Sequence, residues 1–413
     1  MGKGLGKQLG LTAGFLLLAG VIKAVFGGPV NEYRAFSTVV SLDLTGAEGS
    51  LYEHQWALKN TGRIKLAEGS GKSILMSGSG FDNETDPSFG VQKVTIGLEG
   101  TDIHSEAAWN LYGQFPQKQP VIVALVDTGV DISHPDLQNG IWINTDEIPG
   151  DGIDNDQNGY ADDVYGWNFC SGSSQIYEGE ADNHGTHAAG TIIGNWDQKG
   201  ITGIADSNYV KVMVLKALGA DGTGDSSEVI EAIRYAEANG ASICNLSFGA
   251  DIYDPQLAEL IQNSNMLFVI SAGNGDAFGH GLDIDRTPIY PAAFSNENII
   301  SVANLMFDGT LHPTSNYGAQ NVDIAAPGSY ILSTTANHGY GYMTGTSMAA
   351  PMVSGAAAFV FSCRSDLSLA QVRQGLLVSA KKLESLNGKV ASGGMLDVYG
   401  ALSCQLPGMA PSE

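Results

Sequence analysis

Beyond about residue 100 the chain is built from short, almost uninterrupted apolar runs separated by segments of helical period. The runs fall at residues 121–126, 210–215 (broken once by Lys211), 241–246, 266–270 and 298–303. A strand with one face in water alternates apolar and polar positions. Runs without that alternation predict strands covered on both faces, as in a parallel sheet. Between them, residues 226–240 carry an apolar stripe at Val229, Ile230, Ile233 and Ala236. Ser226 is expected to cap the start of this helix and Gly240 to close it. Residues 255–264 and 348–363 also predict helices. Strand and helix in alternation imply an α/β fold, a three-layer sandwich around a mostly parallel sheet.

The first hundred residues are less regular. Lys3 and Lys7 precede an apolar stretch at residues 9–21, followed by Lys23 and Gly27-Gly28-Pro29. This stretch is shorter than the roughly 20 residues that span a bilayer, so an export signal is expected. No clear A-x-A cleavage site follows, which leaves an uncleaved membrane anchor through residues 9–26 as the alternative. The expected organisation is a signal or anchor at 1–28, a connector at 29–49, one large domain at 50–405 and a polar tail at 406–413. Residues 63–96 are rich in glycine and serine and are expected to form a surface insertion or loop.

Charge narrows the function. With 44 acidic against 20 basic side chains the net charge is −24, a surface that repels nucleic-acid phosphate and suits an exported protein that binds divalent cations or lives in salt, with solubility alone as the other explanation. The four cysteines contain no C-x-x-C pair, which argues against a zinc knuckle or a thioredoxin-like site. Cys244, inside an apolar run, is expected to be a buried thiol. Cys363 and Cys404 are the best candidates for a disulfide in an oxidising compartment.

Three segments carry candidate chemistry. Asp127 directly follows a predicted strand, where α/β folds place functional side chains. His184 lies in Asn183-His-Gly-Thr-His, where Gly185 permits close approach of backbone or substrate. Ser347 lies at a predicted helix start, where the dipole and unpaired N–H groups favour developing negative charge. Pro351 is expected to be tolerated there because it falls near the first turn. Alone, each is an ordinary turn, loop or cap residue. Together, Val126-Asp-Thr-Gly-Val, His184-Gly-Thr-His-Ala-Ala-Gly and Gly345-Thr-Ser-Met-Ala-Ala-Pro resemble the three signature blocks of subtilisin-like serine proteases.

The resemblance runs from about Tyr52 to Leu402. It implies the subtilisin-like fold and an endopeptidase acting on proteins or peptides, which the N-terminal stretch would make secreted or membrane-anchored. Ser347 would be the nucleophile, His184 the general base and Asp127 its orienting partner. Asn274, ending Phe-Val-Ile-Ser-Ala-Gly-Asn, resembles the family's oxyanion-hole asparagine. Ser247, Gly249, Ser271 and Gly273 would border the substrate, which adds a strand along residues 245–249. His187 is expected to be a packed structural histidine. An inhibitory propeptide is usual in exported relatives, yet only about twenty residues separate the predicted signal from Tyr52. The rival from another class, a non-catalytic calcium-dependent scaffold, does not require the intact set. An α/β-hydrolase esterase would need a G-x-S-x-G elbow, which is absent.

One stretch remains outside this scheme. Residues 151–163 hold five aspartates in thirteen positions, a costly density of like charge unless a cation neutralises it. Asp151, Asp154, Asp156, Asn158, Asp162 and Asp163 are candidate oxygen ligands, and oxygen donors favour calcium. The twelfth position from Asp154 is Tyr165 rather than glutamate, so an EF-hand is not expected. Asp136 resembles a calcium-ligand position in relatives, with Asp197 as a candidate partner.

Overall fold

The computed structural model describes residues 32–35, 38–40, 49–69, 72–76 and 91–404. The signal or anchor segment at 1–28 and the tail at 406–413 lie outside the described residues. In chain order the first strands are β1 (Glu32–Ala35), β2 (Thr38–Val40), β3 (Lys65–Gly69), β4 (Lys72–Met76) and β5 (Val91–Ile96). Helix α1 (Ser105–Tyr112), β6 (Val121–Asp127), β7 (Gly166–Asn168), α2 (Asn183–Ile193), β8 (Val210–Lys216) and β9 (Thr223–Asp225) follow. Next come α3 (Ser226–Ala238), β10 (Ile243–Leu246), β11 (Phe248–Gly249), α4 (Pro255–Asn263), β12 (Leu267–Ser271) and β13 (Ile299–Leu305). The last are β14 (Ile324–Pro327), β15 (Ile331–Thr335), β16 (Gly339–Thr344), α5 (Thr346–Cys363), α6 (Leu369–Val378), β17 (Lys381–Lys382), β18 (Gly394–Met395) and α7 (Val398–Ser403).

Nine strands form the central sheet in the order β17-β18-β14-β13-β12-β10-β6-β8-β7. Every pairing is parallel except β17 with β18. All five apolar runs are strands of it. Their period of two sorts successive side chains onto opposite faces. Val121, Val123 and Leu125 pack with Ala188 and Ile192 of α2 and Met348 and Val353 of α5. Ala124 and Val126 pack on the other face with Val229 and Ile233 of α3 and Leu257 and Ile261 of α4. The sandwich therefore has three layers, as the sequence pattern implies. Burying both faces is why the strands need no polar alternation, and each fully buried aliphatic contributes roughly 1.5–3 kcal/mol.

The chain leaves β6 toward β8 on one side and later returns to lay β10 on the other. Such a reversal opens a crevice beyond the carboxyl ends of the strands, and Asp127 is the last residue of β6.

Three expectations change. Helix α3 is capped by Asp225 rather than Ser226: the Glu228 carboxylate accepts the Asp225 N–H at 3.2 Å, and Ser226 is the first helical residue. Residues 63–96 are not an open loop in their described parts. They form a three-stranded antiparallel sheet, β4-β3-β5, which seats Leu66 in the core. The Gly/Ser content had masked short alternating strands. All four cysteines are free, and buried Cys363 donates to the carbonyls of Phe359 and Val360 on its own helix.

Candidate active site

Asp127 ends β6 fully buried, and His184 is the second residue of α2, at 8% exposure. His184 Nδ1 lies 2.7 Å from Asp127 Oδ1. The Thr128 N–H also donates to that oxygen, at 2.7 Å. A carboxylate only accepts, so Nδ1 carries a proton, and in the neutral ring Nε2 is then the nitrogen with the lone pair. Nε2 is buried without a hydrogen-bond partner among the described residues. A base held in this tautomer and left unsatisfied is poised to take a proton. Gly185 makes the approach feasible, because a Cβ there would collide with the Gly129 carbonyl oxygen. The glycine thus serves the packing of α2 on the Asp127 turn.

Ser347 is the second residue of α5 and is fully buried. Its Oγ donates to the Ser247 carbonyl at 2.8 Å rather than to His184. Ser247 lies just beyond β10, the direct neighbour of β6. The expectation for Pro351 needs correcting: it sits inside α5, in the second turn. Proline has no N–H, so it leaves the Ser347 carbonyl, four residues earlier, without its helical partner. The Ser247 hydroxyl donates to that carbonyl at 3.2 Å. The helical hydrogen bond lost at Pro351 and the fixation of Ser347 are therefore one arrangement.

Asn274 is tied to the same helix. Its Oδ1 accepts the Thr346 N–H at 2.9 Å and the Thr346 hydroxyl at 3.1 Å. With the oxygen bound, the NH2 is the donating end of the amide. Asn316 shapes the turn that carries Asn274, donating to the Ala272 carbonyl at 2.8 Å and accepting from Gly275 N–H at 3.0 Å. Asn274 thus joins the end of β12 to the start of α5.

Sequence reasoning missed Lys216. It ends β8 directly opposite Asp127 across the β6–β8 pairing and is 1% exposed. Its Nζ donates to the Thr128 carbonyl and, at 2.6 Å, to Asp182 Oδ1, with Glu178 at 3.2 Å. Asp182, itself fully buried, precedes α2 by one residue. Burial pushes its carboxyl up and Lys216 pulls it back. One cation therefore clamps the Asp127 turn to the helix that presents His184. The available signal was a lysine closing an apolar run that is buried everywhere except at Lys211.

The four expected substrate-contact residues gather at the same edge. Ser247 is fully buried, Ser271 is 1% exposed, and Gly249 and Gly273 are buried. Gly273 has φ +99°, a conformation that glycine adopts without strain. His187, one turn after His184, is fully buried with Nε2 at 2.8 Å from the Ile331 carbonyl. Burial lowers its pKa to about 4.

The acidic loop is only partly what its sequence suggests. Asp154 and Asp156 come together with Glu147, one oxygen of each lying within 4.8 Å of the others. Glu147 was outside the aspartate run and was not anticipated. It is 6% exposed and accepts the N–H groups of Asn155 at 2.7 Å and Asp162 at 2.9 Å. The other candidates turn elsewhere. Asp162 collects the N–H groups of Gly150, Asp151 and Gly152, and Asp151 accepts from Ile153. Asp163 is fully buried beneath the Tyr235 hydroxyl at 2.5 Å and the amides of Asn144 and Asn158. Asp136 accepts the Ile201 N–H at 2.9 Å and the Tyr340 hydroxyl at 3.0 Å, and burial raises its carboxyl to about 6. Asp197 instead closes its own turn on Lys199 N–H at 2.9 Å.

Comparison with known proteins agrees with this geometry. Residues 118–401 match the sequence model of the subtilase family. Subtilisin-like protease 1 of Plasmodium berghei (strain Anka) is 34% identical over 298 residues, which are 68% of this chain and 49% of that protein. Subtilisin-like protease 1 of Plasmodium vivax is 32% identical over 375 residues, 81% of this chain and 58% of that protein. The major intracellular serine protease of Bacillus subtilis (strain 168) is 36% identical over 244 residues, 58% of this chain and 68% of that protein. The chain spans about half the length of the Plasmodium relatives it matches.

Proposed function

The chain belongs to the subtilase family, and from that premise we propose that it is a serine endopeptidase hydrolysing peptide bonds of proteins and peptides. The observation that carries this is the Asp127–His184 hydrogen bond of 2.7 Å, with the unpartnered Nε2 as base. Ser347 Oγ leaves the Ser247 carbonyl, gives its proton to Nε2 and adds to the scissile carbonyl. Asp127 stabilises the imidazolium, and the Asn274 NH2 donates to the oxyanion. The amine then leaves with the proton from His184. Water hydrolyses the Ser347 ester by the same base, restoring the enzyme. Ser247, Gly249, Ser271 and Gly273 border the bound peptide. Labelling by a fluorophosphonate probe, together with a peptide-library digest by wild type and Ser347→Ala, tests the assignment. A folded protein that neither labels nor cuts refutes it.

Calcium is the proposed structural ion. Glu147, Asp154 and Asp156 would hold it, because three converging carboxylates offer the hard oxygen set that calcium takes. The ion would neutralise the crowded charge and brace the loop, with no part in the bond cleavage. Export, either secreted or membrane-anchored, is proposed on Lys3, Lys7 and the apolar residues 9–21. N-terminal sequencing of the protein from its native source distinguishes a start after about Gly28 from an uncut anchor.

A further inference from the structure

Directly after Asn274 the chain makes a loop, residues 275–282, whose tip carries Phe278. At 85% exposure this is the most exposed large apolar side chain among the described residues. The loop is not slack. Asn316, itself 1% exposed, holds both of its ends, its Oδ1 accepting the Gly275 N–H at 3.0 Å and the Leu282 N–H at 2.8 Å. Within the loop the Asp276 carboxylate accepts the N–H groups of Phe278 at 2.9 Å and His280 at 3.0 Å. The Asp276 N–H donates to the His280 carbonyl at 2.9 Å, and the Gly279 N–H to the Asp276 carbonyl at 3.0 Å. Glycine permits so tight a closure: a Cβ at Gly275 would stand 2.3 Å from the His280 carbonyl oxygen, and one at Gly281 2.0 Å from that of Ser315. Phe278 is thus fixed through its backbone while its ring stays in water.

The stability gained from an aromatic ring scales with the apolar area it removes from water, and at Phe278 the fold gains almost none. Asp276, Ala277 and His280 around it are exposed as well, so no core depends on the ring. A loop already ordered loses little entropy when a partner arrives, and aromatic side chains carry much of the energy of protein contacts. What the ring can meet follows from where the loop is attached. Asn274 binds the backbone and hydroxyl of Thr346, the neighbour of Ser347, and the Gly273 N–H donates to the same hydroxyl at 3.1 Å. From Asn274 to Phe278 is at most about 14 Å of chain, the length of about four residues of an extended peptide. We propose that Phe278 is a specificity residue of the protease: its ring packs on a large apolar side chain of a bound polypeptide, within about four positions of the scissile bond. This rests on the endopeptidase reading of the neighbouring site.

The test compares the full-length chain with Phe278→Ser and Phe278→Leu, exposed substitutions that open no cavity. Fluorogenic peptides carry leucine or serine at each position around the cut in turn, and the ratio of kcat/KM for leucine over serine is read position by position. At one position the wild type should favour leucine by about tenfold. Phe278→Ser should bring that ratio alone close to one, and Phe278→Leu should keep most of it. Profiles that coincide at every position overturn the proposal, as does a loss spread evenly over all of them. A second measurement needs no turnover. Phe278 is replaced by photoreactive benzoylphenylalanine in the Ser347→Ala chain, and the leucine peptide is bound and irradiated. The adduct should fall on the position that the ratios identify; a bound peptide that gives no adduct overturns the contact. If the wild type neither labels with a fluorophosphonate nor cuts, the endopeptidase reading falls, and the adduct still decides whether Phe278 meets a bound peptide.

Discussion

The carboxyl edge of the sheet and the loop at residues 144–163 both crowd acidic side chains, yet they hold them by different means. At the sheet edge Asp127 faces His184 and Asp182 faces Lys216. In the loop, Glu147, Asp154, Asp162 and Asp163 are held by backbone N–H groups, amides and a tyrosine hydroxyl. A neutral donor fixes a carboxylate in place without balancing its charge. A protonatable partner does balance it, so the edge can stabilise a cation formed at His184 and the loop supports shape. The density of aspartates, high in the loop, is therefore a poor guide to where chemistry happens.

The comparison can be broken at its strongest point first. Ser347→Ala should lower kcat by about 10⁶-fold with the fold intact, measured by peptide hydrolysis beside circular dichroism. Substantial residual hydrolysis would move the catalytic centre elsewhere. Lys216→Met removes the cation from buried Asp182 and should destabilise the protein by about 3–5 kcal/mol in urea unfolding. Adding Asp182→Asn should recover part of that loss, and no recovery would mean that the pair is not the clamp. Asn274→Ala should cost about 10²–10³ in kcat with little change in KM, a split that a merely structural role would not produce.

Two smaller effects sharpen the neutral-donor side. Because burial lowers folded His187 to about 4 from 6.5, the unfolded chain takes up this proton first as pH falls. The contribution is complete above pH 6.5 and is lost on descending toward pH 4, by on the order of 3 kcal/mol. Gln at 187 keeps a donor for the Ile331 carbonyl, so His187→Gln should flatten the stability profile over that window. For the loop, chelation should lower the melting temperature by a few degrees, about 1–2 kcal/mol. Glu147→Gln should make the protein insensitive to chelator. An unchanged wild-type melt under chelation would leave the loop braced by hydrogen bonds alone.

Much of the fold was legible because the central strands are buried on both faces, and uninterrupted apolar runs are the direct record of that burial. Asp127, His184, Ser347 and Asn274 were legible because each sits in a long local motif. Lys216 was not, since one lysine at the end of a strand shows no partner until Asp182 arrives from a segment 34 residues away. Glu147 escaped for a similar reason, lying outside the aspartate run that drew attention. Asp163, by contrast, is in sequence one more acid in a run, and only the structure shows it buried beneath the Tyr235 hydroxyl.

Sequence alone determined the layered α/β architecture, the order of catalytic groups and the residue types available to them, because periodicity and local motifs are one-dimensional properties. Tertiary structure decided which groups meet. It set the 2.7 Å contact of His184 with Asp127, the Ser247 bond made available by Pro351 and the Lys216 clamp. It also laid Glu32–Ala35 between two strands nearly two hundred residues or more away in sequence. Such pairings depend on how distant segments pack, and no local pattern encodes the distance between them.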